Sequence, residues 1–498
     1  MNIFVAAPVR DRGAELVAAL RARFPQLAAA LDQGVSATQA LRHFGLIFWR
    51  EGRLDDAARL LEAANLVAQG NPVVLNELGC LWRALGRKAD AMRCFADSLE
   101  INPGQVQVWL NAASLSNEIG DKNAAEEAYV QAIQLDPANG EAAAGLGLIH
   151  VERRNFGEAA RLLTLAAANG VATGPIFACL GQAHYLLGEF KKSSAAFARA
   201  SRTCPGESWV VMRYARARFA EAVVDGPLDA AIEIYRATAG EAAEDIDAVS
   251  RTTFQSLSGF GYLEAALRLG AALLAKSPDD PILIHHLAAL RGEACARATP
   301  AYVAACFDKY APEFDSHLVD VLQYAVPAKM HTLIVETGAR FSRILDLGCG
   351  TGLAAPYFAS FGANLTGVDL SPKMLEKARE RALYDRLYEA EATEHLTTHH
   401  ESYDLIAAFD VLVYLGDLAA LFDAVAARLT PGGLFAFSYE TAGCATYELR
   451  VSGRFAHART YIEALVAEKF ETLANVSTTL RLEANAPMAG RLMVLRAK

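Results

Sequence analysis

The sequence has few cysteines for its length, and they do not form a recognisable site. Eight occur in 498 residues, with no C-x-x-C pair among them. This pattern excludes a disulfide scaffold and a zinc ribbon, and it predicts free thiols in a reducing compartment. The eight are Cys80, Cys94, Cys179, Cys204, Cys295, Cys306, Cys349 and Cys444.

A basic excess and a long apolar run are also missing. The 47 basic and 57 acidic side chains give a formal net charge of −10, which argues against a nucleic acid partner. Charged residues interrupt the alanine-rich stretches before they reach the roughly 18 residues that a membrane helix needs. No basic patch precedes an apolar run in residues 1–8, so no signal peptide is predicted. We therefore expect a cytoplasmic protein without a membrane span.

What is present, over the first three fifths, is an internal repeat. Small residues that break the helical hairpins, between their first and second helices, recur at spacings of 34, 34, 35, 33, 38 and 35 residues. A small residue follows most breaks by five positions and a bulky one by nine, and several repeats end in proline. Such a register lets two antiparallel helices approach closely before proline stops the second. The breaks are Gly52, Gly86, Gly120, Asn155, Gly188, Gly226 and Gly261.

This register resembles the tetratricopeptide repeat, whose period is 34 residues. The resemblance implies an α-solenoid of about seven repeats over residues 38–290, with the last two degenerate, after an N-terminal helical cap at 1–37. It implies a protein or peptide partner on the concave face. The clamp that some such arrays use for acidic C-termini is expected to be absent, because basic residues are missing. The positions compared are Asn76, Cys80, Asn111, Ala142 and Leu146.

After residue 300 the pattern changes to alternating strands and helices, which predicts a parallel, doubly wound sheet. Helices are predicted within 307–336 and over 353–361, 372–382 and 418–429. The predicted strands lie at 344–348, 365–370, 387–391, 404–409 and 434–439, and an antiparallel pair at 472–482 and 491–496 completes seven.

A glycine-rich motif ends the first of these strands. Gly348, Gly350 and Gly352 alternate with other residues, so the backbone there can pass beneath a ligand without a Cβ in the way. Asp369 follows Gly348 by 21 residues, at the end of the second strand. An acid at that point accepts hydrogen bonds from ribose hydroxyls, so the pair predicts a nucleoside site.

The motif Asp346-Leu-Gly-Cys-Gly-Thr-Gly352 is similar to the first motif of class I S-adenosylmethionine-dependent methyltransferases. With the repeats, the chain resembles a bacterial group of predicted methyltransferases fused to tetratricopeptide repeats. The resemblance implies a Rossmann-like domain at 300–498 with S-adenosylmethionine as its cofactor. It implies cofactor contacts at Asp346, Gly348, Cys349, Gly350, Gly352, Asp369, Leu370, Met374, Glu391, Ala392 and Asp410.

The acceptor side is open at this point. A general base is needed only if the acceptor has a proton to lose, and histidine suits neutral pH. The candidate catalytic residues are His457, His317, Tyr414 and Asp410, although a structural role is favoured for His317. Arg454 fits either an acceptor carboxylate or phosphate or a surface ion pair. No metal site is predicted, since the run His395, His399 and His400 has no cysteine nearby.

Three functions remain compatible with the sequence. The first is methyl transfer to an oxygen or nitrogen acceptor, with the repeats recruiting a partner or substrate. The second is methyl transfer to a protein, peptide or carrier-bound substrate that the repeats present. The third is a cofactor-binding scaffold without catalysis, which the intact glycines and Asp369 disfavour.

Overall fold

The computed structural model describes residues 9–68, 70–293, 295–483 and 486–498. The chain divides into two compact units, which are treated separately below. The first runs to Glu221 and includes Tyr235–Ala242, and the second comprises Ala222–Ile234 and Ala243–Lys498. No helix in the described ranges is long and apolar enough to cross a membrane.

Up to residue 239 the described chain consists of consecutive helices joined by short turns. Their bounds are α1 Val9–Arg23, α2 Pro25–Asp32, α3 Ala37–Arg50, α4 Leu54–Ala68, α5 Pro72–Ala84, α6 Lys88–Ile101, α7 Val106–Ile119, α8 Lys122–Leu135, α9 Gly140–Glu152, α10 Phe156–Ala168, α11 Gly174–Leu186, α12 Phe190–Thr203, α13 Ser208–Asp225 and α14 Leu228–Ala239.

Each repeat places a small residue on one helix against a bulky residue on the next. A Cβ added to Gly79 would lie 2.6 Å from the Phe95 ring, and one on Gly181 would lie 2.7 Å from Phe197. The small residue predicted five positions after the break is also buried, as shown by Ala91, which is fully inaccessible to solvent. Close helix approach therefore depends on these small residues, as the repeat register predicts.

The fourth break lies one residue earlier than predicted. Arg154, with φ 59°, occupies the left-handed position that glycine takes at Gly120 and Gly188. This makes the spacing 34 residues on both sides, and it moves the small position from Ala160 to Ala159, which is fully buried. The sequence-based choice of Asn155 followed residue type, whereas the turn accepts a strained arginine at this break.

After residue 242 the chain continues with three more helices, and a mixed α/β domain follows them. Its helices are α15 Ile246–Gly259, α16 Leu263–Lys276, α17 Pro281–Arg291, α18 Pro300–Tyr310, α19 Phe314–Ser316, α20 Val326–Glu336, α21 Ala355–Ala359, α22 Pro372–Glu380, α23 Ala392–Thr398, α24 Ala419–Arg428 and α25 Arg459–Ala467. A π-helical turn, His317–Val321, follows α19.

The strands confirm the predicted doubly wound sheet. They are β1 Arg343–Leu347, β2 Asn364–Asp369, β3 Arg386–Glu389, β4 Tyr403–Ala408, β5 Leu429–Ala442, β6 Tyr447–Leu449, β7 Phe455–Ala458, β8 Phe470–Glu483 and β9 Ala486–Ala497. The parallel order is β3-β2-β1-β4-β5, and antiparallel β9 and then β8 extend the sheet beyond β5. The order reverses between β1 and β4, which is where such sheets bind ligands.

Two details differ from the predicted domain. The hairpin of β6 and β7, which pairs with the end of β5, adds two strands to the predicted seven. Both strands are only three or four residues long, too short for an alternating pattern to reveal them. The helix predicted over 353–361 is shorter, because only Ala355–Ala359 is helical.

Candidate functional site

A cavity in the second unit opens at the carboxyl ends of the parallel strands. The loops after β1, β2, β3 and β4 all contribute to its lining, as expected at the switch point of a doubly wound sheet. The structure brings together nine of the predicted cofactor residues here: Asp346, Gly348, Cys349, Gly350, Asp369, Leu370, Glu391, Ala392 and Asp410.

The glycine-rich loop has the backbone conformation that its composition predicts. Gly348, Gly350 and Gly352 have φ of 66°, 55° and 83°, in the left-handed region that favours glycine. A Cβ on Gly348 would lie 2.4 Å from Val411, whereas one on Gly350 would meet nothing closer than 3.9 Å. Gly348 is therefore needed for packing, and Gly350 leaves open space beside the loop.

Asp369 fixes this loop from the end of β2. Its two carboxylate oxygens each accept a backbone N–H, from Gly350 and from Ser371, both at 2.8 Å. Burial raises the pKa of Asp369, and the two backbone hydrogen bonds oppose that rise. Each oxygen keeps a second lone pair, so the carboxylate can also accept the two hydroxyls of a ribose.

Asp346 lies on β1, just before the glycine-rich loop, and is 2% exposed. Burial raises its pKa to about 7, and the Tyr384 hydroxyl, which donates to Oδ2 at 2.7 Å, opposes the rise. Glu391 caps α23 by accepting the Glu394 N–H at 2.8 Å. It lines the cavity after β3, among the residues that the resemblance assigns to the cofactor.

Two predicted cofactor residues lie elsewhere. Met374 is fully buried within α22 and does not line the cavity, whereas Leu370 does. Gly352 faces Tyr384, whose ring would lie 2.9 Å from an added Cβ. Its role is to let the Tyr384 ring pack against the loop.

The wall opposite the sheet was not identified from the sequence. It comprises α18, α19 and the π-helical turn, which present Phe307, Tyr310, Phe314 and Leu318 to the cavity. The signal available in the sequence was the run of aromatic residues on these short helices, but their periodicity did not show which side faces a ligand.

Polar contacts hold this wall against the cofactor loops. Asp308 accepts the Ser371 hydroxyl at 2.6 Å. Asp315 accepts hydrogen bonds from Thr351 of the glycine-rich loop and from Arg381. The aromatic wall is thus tied to two of the loops that the cofactor residues occupy.

Asp410 lies two residues after β4 with φ 61°, and the Ser438 hydroxyl accepts its backbone N–H at 2.9 Å. Its carboxylate accepts hydrogen bonds from Arg481 Nη1 at 3.0 and 3.3 Å. Arg481 is 1% exposed and also donates to Glu440 and Glu483. This buried arginine, absent from the sequence-based site, fixes the orientation of Asp410.

The predicted catalytic residues separate into two groups. Asp410 and Tyr414 line the cavity, whereas His457 and His317 do not. His457 is fully buried on β7, where Nε2 donates to the Leu415 carbonyl at 2.8 Å. Burial lowers its pKa to about 4, so it is a neutral structural residue at neutral pH.

His317 also lies outside the cavity lining, but it contacts a residue that belongs to it. Its Nδ1 is hydrogen-bonded to the hydroxyl of Tyr310. The histidine is partly exposed. Any effect of His317 on a bound acceptor must therefore pass through Tyr310.

The residues present fit S-adenosylmethionine. The left-handed loop leaves space at Gly350, Asp369 retains acceptor capacity for a ribose, and Glu391 adds an acceptor on the β3 side. The aromatic wall supplies flat apolar surface opposite these groups. Such a set holds a nucleoside between polar loops and apolar side chains.

Comparisons with known proteins agree with this arrangement. Residues 345–437 match a family model described as a methyltransferase domain, and residues 106–139 match one described as a tetratricopeptide repeat. These matches confirm the predicted combination of the two, and S-adenosylmethionine is the methyl donor of such domains.

Relatives resemble only part of the chain. The ubiquinone biosynthesis O-methyltransferase of Xylella fastidiosa (strain 9a5c) is 29% identical over 157 residues, which is 31% of this chain and 61% of that protein. The malonyl-[acyl-carrier protein] O-methyltransferase of Salmonella typhimurium is 31% identical over 145 residues, 29% of this chain and 55% of that protein. The chain therefore spans less than two thirds of the length of these relatives.

Among solved structures, the N-methyltransferase NodS from Bradyrhizobium japonicum WM9 in complex with S-adenosyl-L-homocysteine is similar at 20% identity. The match covers 39% of this chain and 98% of that chain, with a TM-score of 0.33.

Proposed function

We propose that this chain transfers a methyl group from S-adenosylmethionine to an acceptor oxygen, and that its repeats recruit the acceptor or a protein that carries it. The observation that carries the proposal is a single cavity that combines nine of the predicted cofactor residues with a second, aromatic wall. A cavity that held only the predicted cofactor residues would suit a protein that binds the cofactor without using it. The second wall provides a place for an acceptor beside the cofactor.

The polar loops would hold the cofactor, which supplies an electrophilic methyl group. Asp369 would accept the ribose hydroxyls, the loop at Gly348 and Gly350 would lie against the methionine part, and Glu391 would accept from the adenine. Methyl transfer is an in-line displacement, so the main task of these residues is alignment. Asp410 and Tyr414 line the same cavity, which supports a role for them beside the acceptor.

Oxygen is the proposed acceptor atom because both O-methyltransferase relatives match the domain that forms this cavity. A hydroxyl acceptor would have to lose a proton. In that version the Tyr310 hydroxyl, which is hydrogen-bonded to His317 outside the cavity lining, would contact the acceptor but would not itself take its proton.

The repeats support recruitment of a macromolecular partner. Tetratricopeptide helices that pack in register form a continuous surface suited to an extended ligand. Here Asn111 of α7 donates to Asn76 of α5 at 2.8 Å and to Cys80, so polar side chains link successive repeats. A protein, peptide or carrier-bound acceptor is the alternative version of the proposal, and an inactive scaffold remains the third.

Calorimetry with S-adenosylhomocysteine tests the proposal. Asp369→Asn should weaken binding by at least about tenfold, because hydrogen bonds to a charged group contribute about 1.5–3 kcal/mol each. Asp423→Asn is a matched control, since Asp423 is an exposed partner of Lys469, and its affinity should equal that of the wild type. Absence of heat with the wild-type chain at millimolar ligand would refute the proposal.

A further inference from the structure

Resting on the proposed methyl transfer, we infer that the acceptor oxygen belongs to a carboxylate, held by Arg454, on a molecule with an apolar or aromatic body. The product would be a methyl ester. Three observations carry the inference: the hydrogen bonds that Arg454 does not make, the apolar wall around it, and the titratable groups that line the cavity.

Arg454 lines the cavity, and its side chain is 25% exposed. Its Nη1 lies 3.6 Å from Asp410 Oδ2 and 3.9 Å from Glu440 Oε1, too far for hydrogen bonds. Nη1 is buried, and within the described ranges it has no hydrogen-bond partner. A guanidinium has five N–H donors in a planar fork that matches a carboxylate, so Arg454 retains donors for a ligand.

The neighbouring arginines show that this condition is specific. Arg481 donates to Asp410, Glu440 and Glu483. Arg450 donates to Glu440 at 3.1 Å and to the Thr441 carbonyl at 2.6 Å. Because Arg481 already pairs with Asp410, that acid does not need the donors of Arg454.

The charge on Arg454 is secure. Burial opposes its charged form, but the carboxylates of Asp410, Glu483 and Glu440 favour it, and its pKa is raised above the ordinary value. A cation at this position attracts an anion and disfavours an amine acceptor. The other arginine on the lining, Arg297, is exposed and lies 3.9 Å from Glu391 on the adenine side.

The rest of the acceptor side is apolar. Phe307 packs edge-on to Tyr414 with ring centroids 5.5 Å apart, and Tyr310 packs edge-on to Phe314 at 5.2 Å. Val303 and Leu322 line the same cavity. A ligand that combines one anionic group with an apolar body would satisfy both kinds of surface.

A carboxylate also fits the shortage of free bases beside Arg454, because the Asp410 carboxylate already accepts hydrogen bonds from Arg481. None of the described residues that line the cavity is a histidine. Burial raises the pKa of Tyr414 to about 12 and also raises the pKa of Tyr324 and of Tyr310. These phenols stay protonated at neutral pH and cannot accept a proton from the acceptor.

A carboxylic acid with an ordinary pKa near 4 is already ionised at neutral pH. A carboxylate oxygen forms the new bond to the methyl carbon, and the carbon–sulfur bond breaks with its electron pair remaining on sulfur. The products are a methyl ester and S-adenosylhomocysteine, and no proton moves. The step needs alignment and charge compensation, which Arg454 and the aromatic wall provide.

The chemical stability of the product tests the acceptor class even while the acceptor itself is unidentified. The full-length chain is incubated with methyl-labelled S-adenosylmethionine and a native cell extract, and the products are treated with mild alkali. Methyl esters release labelled methanol, which is collected as vapour. Release of the label is expected, whereas alkali-stable label would show an ether or N-methyl product and would overturn the inference.

A binding measurement tests the anion site directly, with or without turnover. Phenylacetate and its uncharged analogue phenylacetamide are titrated into the full-length chain with S-adenosylhomocysteine present, and dissociation constants are measured by NMR. The acid should bind at least tenfold more tightly than the amide. Equal affinities, or no binding of the acid, would overturn the inference.

Variants separate this inference from the proposed function. Arg454→Met should abolish the preference for the acid but leave S-adenosylhomocysteine binding unchanged by calorimetry. Arg459→Met removes the same charge from an exposed pair with Glu463, and it should retain the preference. If Arg454→Met keeps the preference, Arg454 is not the anion site, although the proposed methyl transfer would stand.

Discussion

A fragment beginning at residue 301 should be much less stable than one beginning at residue 243. The predicted domain boundary near 300 separates the α/β domain from the segment before it. In the structure, however, that segment supports the cavity. His285 of α17 donates from Nε2 to the Gly453 carbonyl at 2.8 Å, next to Arg454, and its ring stacks on Tyr302 with centroids 3.9 Å apart.

Residues 296–298 make three more hydrogen bonds to the cavity wall. The Ala298 N–H donates to the Tyr414 carbonyl at 2.8 Å, and the Ala296 carbonyl accepts from Gly416 and Asp417 at 2.8 and 2.9 Å. A cut at 301 removes these three and the His285 bond. At about 0.5–1.5 kcal/mol each they contribute about 2–6 kcal/mol, and the stacked rings add about 0.5–1.5 kcal/mol.

A loss of that size is comparable with the whole stability of many domains, about 5–15 kcal/mol. We expect the thermal midpoint of 301–498 to lie about 5–30 °C below that of 243–498, at about 2–4 °C per kcal/mol. The four tryptophans all lie between Trp49 and Trp209, so circular dichroism is the suitable probe. His285→Ala in the longer fragment should give an intermediate midpoint. Equal midpoints for the two fragments would refute this reasoning.

Two further predictions concern the cofactor loop. Because the folded-state pKa of Asp346 is about 7, above its unfolded value near 3.9, its stabilising contribution is complete below about pH 4 and is lost as pH rises to about 7. The thermal midpoint of the wild type, measured relative to that of Asp346→Asn, should therefore fall between about pH 4 and pH 7. If the two midpoints change in parallel with pH, the raised pKa of Asp346 is contradicted. Gly348→Ala should abolish S-adenosylhomocysteine binding in calorimetry, since its Cβ would lie 2.4 Å from Val411. Gly362→Ala is the control, since Gly362 also has a positive φ of 65° but nothing lies within 4 Å of an added Cβ. It should lower stability by about 1 kcal/mol and leave the affinity for S-adenosylhomocysteine unchanged. Equal losses of affinity in the two variants would show that backbone strain, and not the contact with Val411, is responsible.

The parts of the molecule that could be predicted from the sequence are those encoded by short-range patterns. The repeat register follows from small and bulky residues in fixed positions, and the nucleoside loop follows from three glycines and Asp369. In the repeat register, the fourth break was assigned to Asn155 instead of Arg154. The turn there accepts a strained arginine, whereas residue type favours asparagine. The burial of Met374 away from the cavity could not be read from the sequence for a related reason. A helix register shows which residue is buried, but not whether a ligand or the sheet covers it.

The acceptor side could not be predicted in this way, because distant segments assemble it. Asp410 is oriented by Arg481, 71 residues later, and Arg454 lies on a hairpin whose strands are too short to be recognised. Histidine was the natural candidate for a base, yet His457 is a buried donor to a backbone carbonyl. The residue that distinguishes this cavity is instead an arginine whose sequence context resembles that of any surface arginine. Its importance depends on donors that its neighbours leave unused, which only the three-dimensional arrangement of Asp410, Glu440 and Arg481 determines.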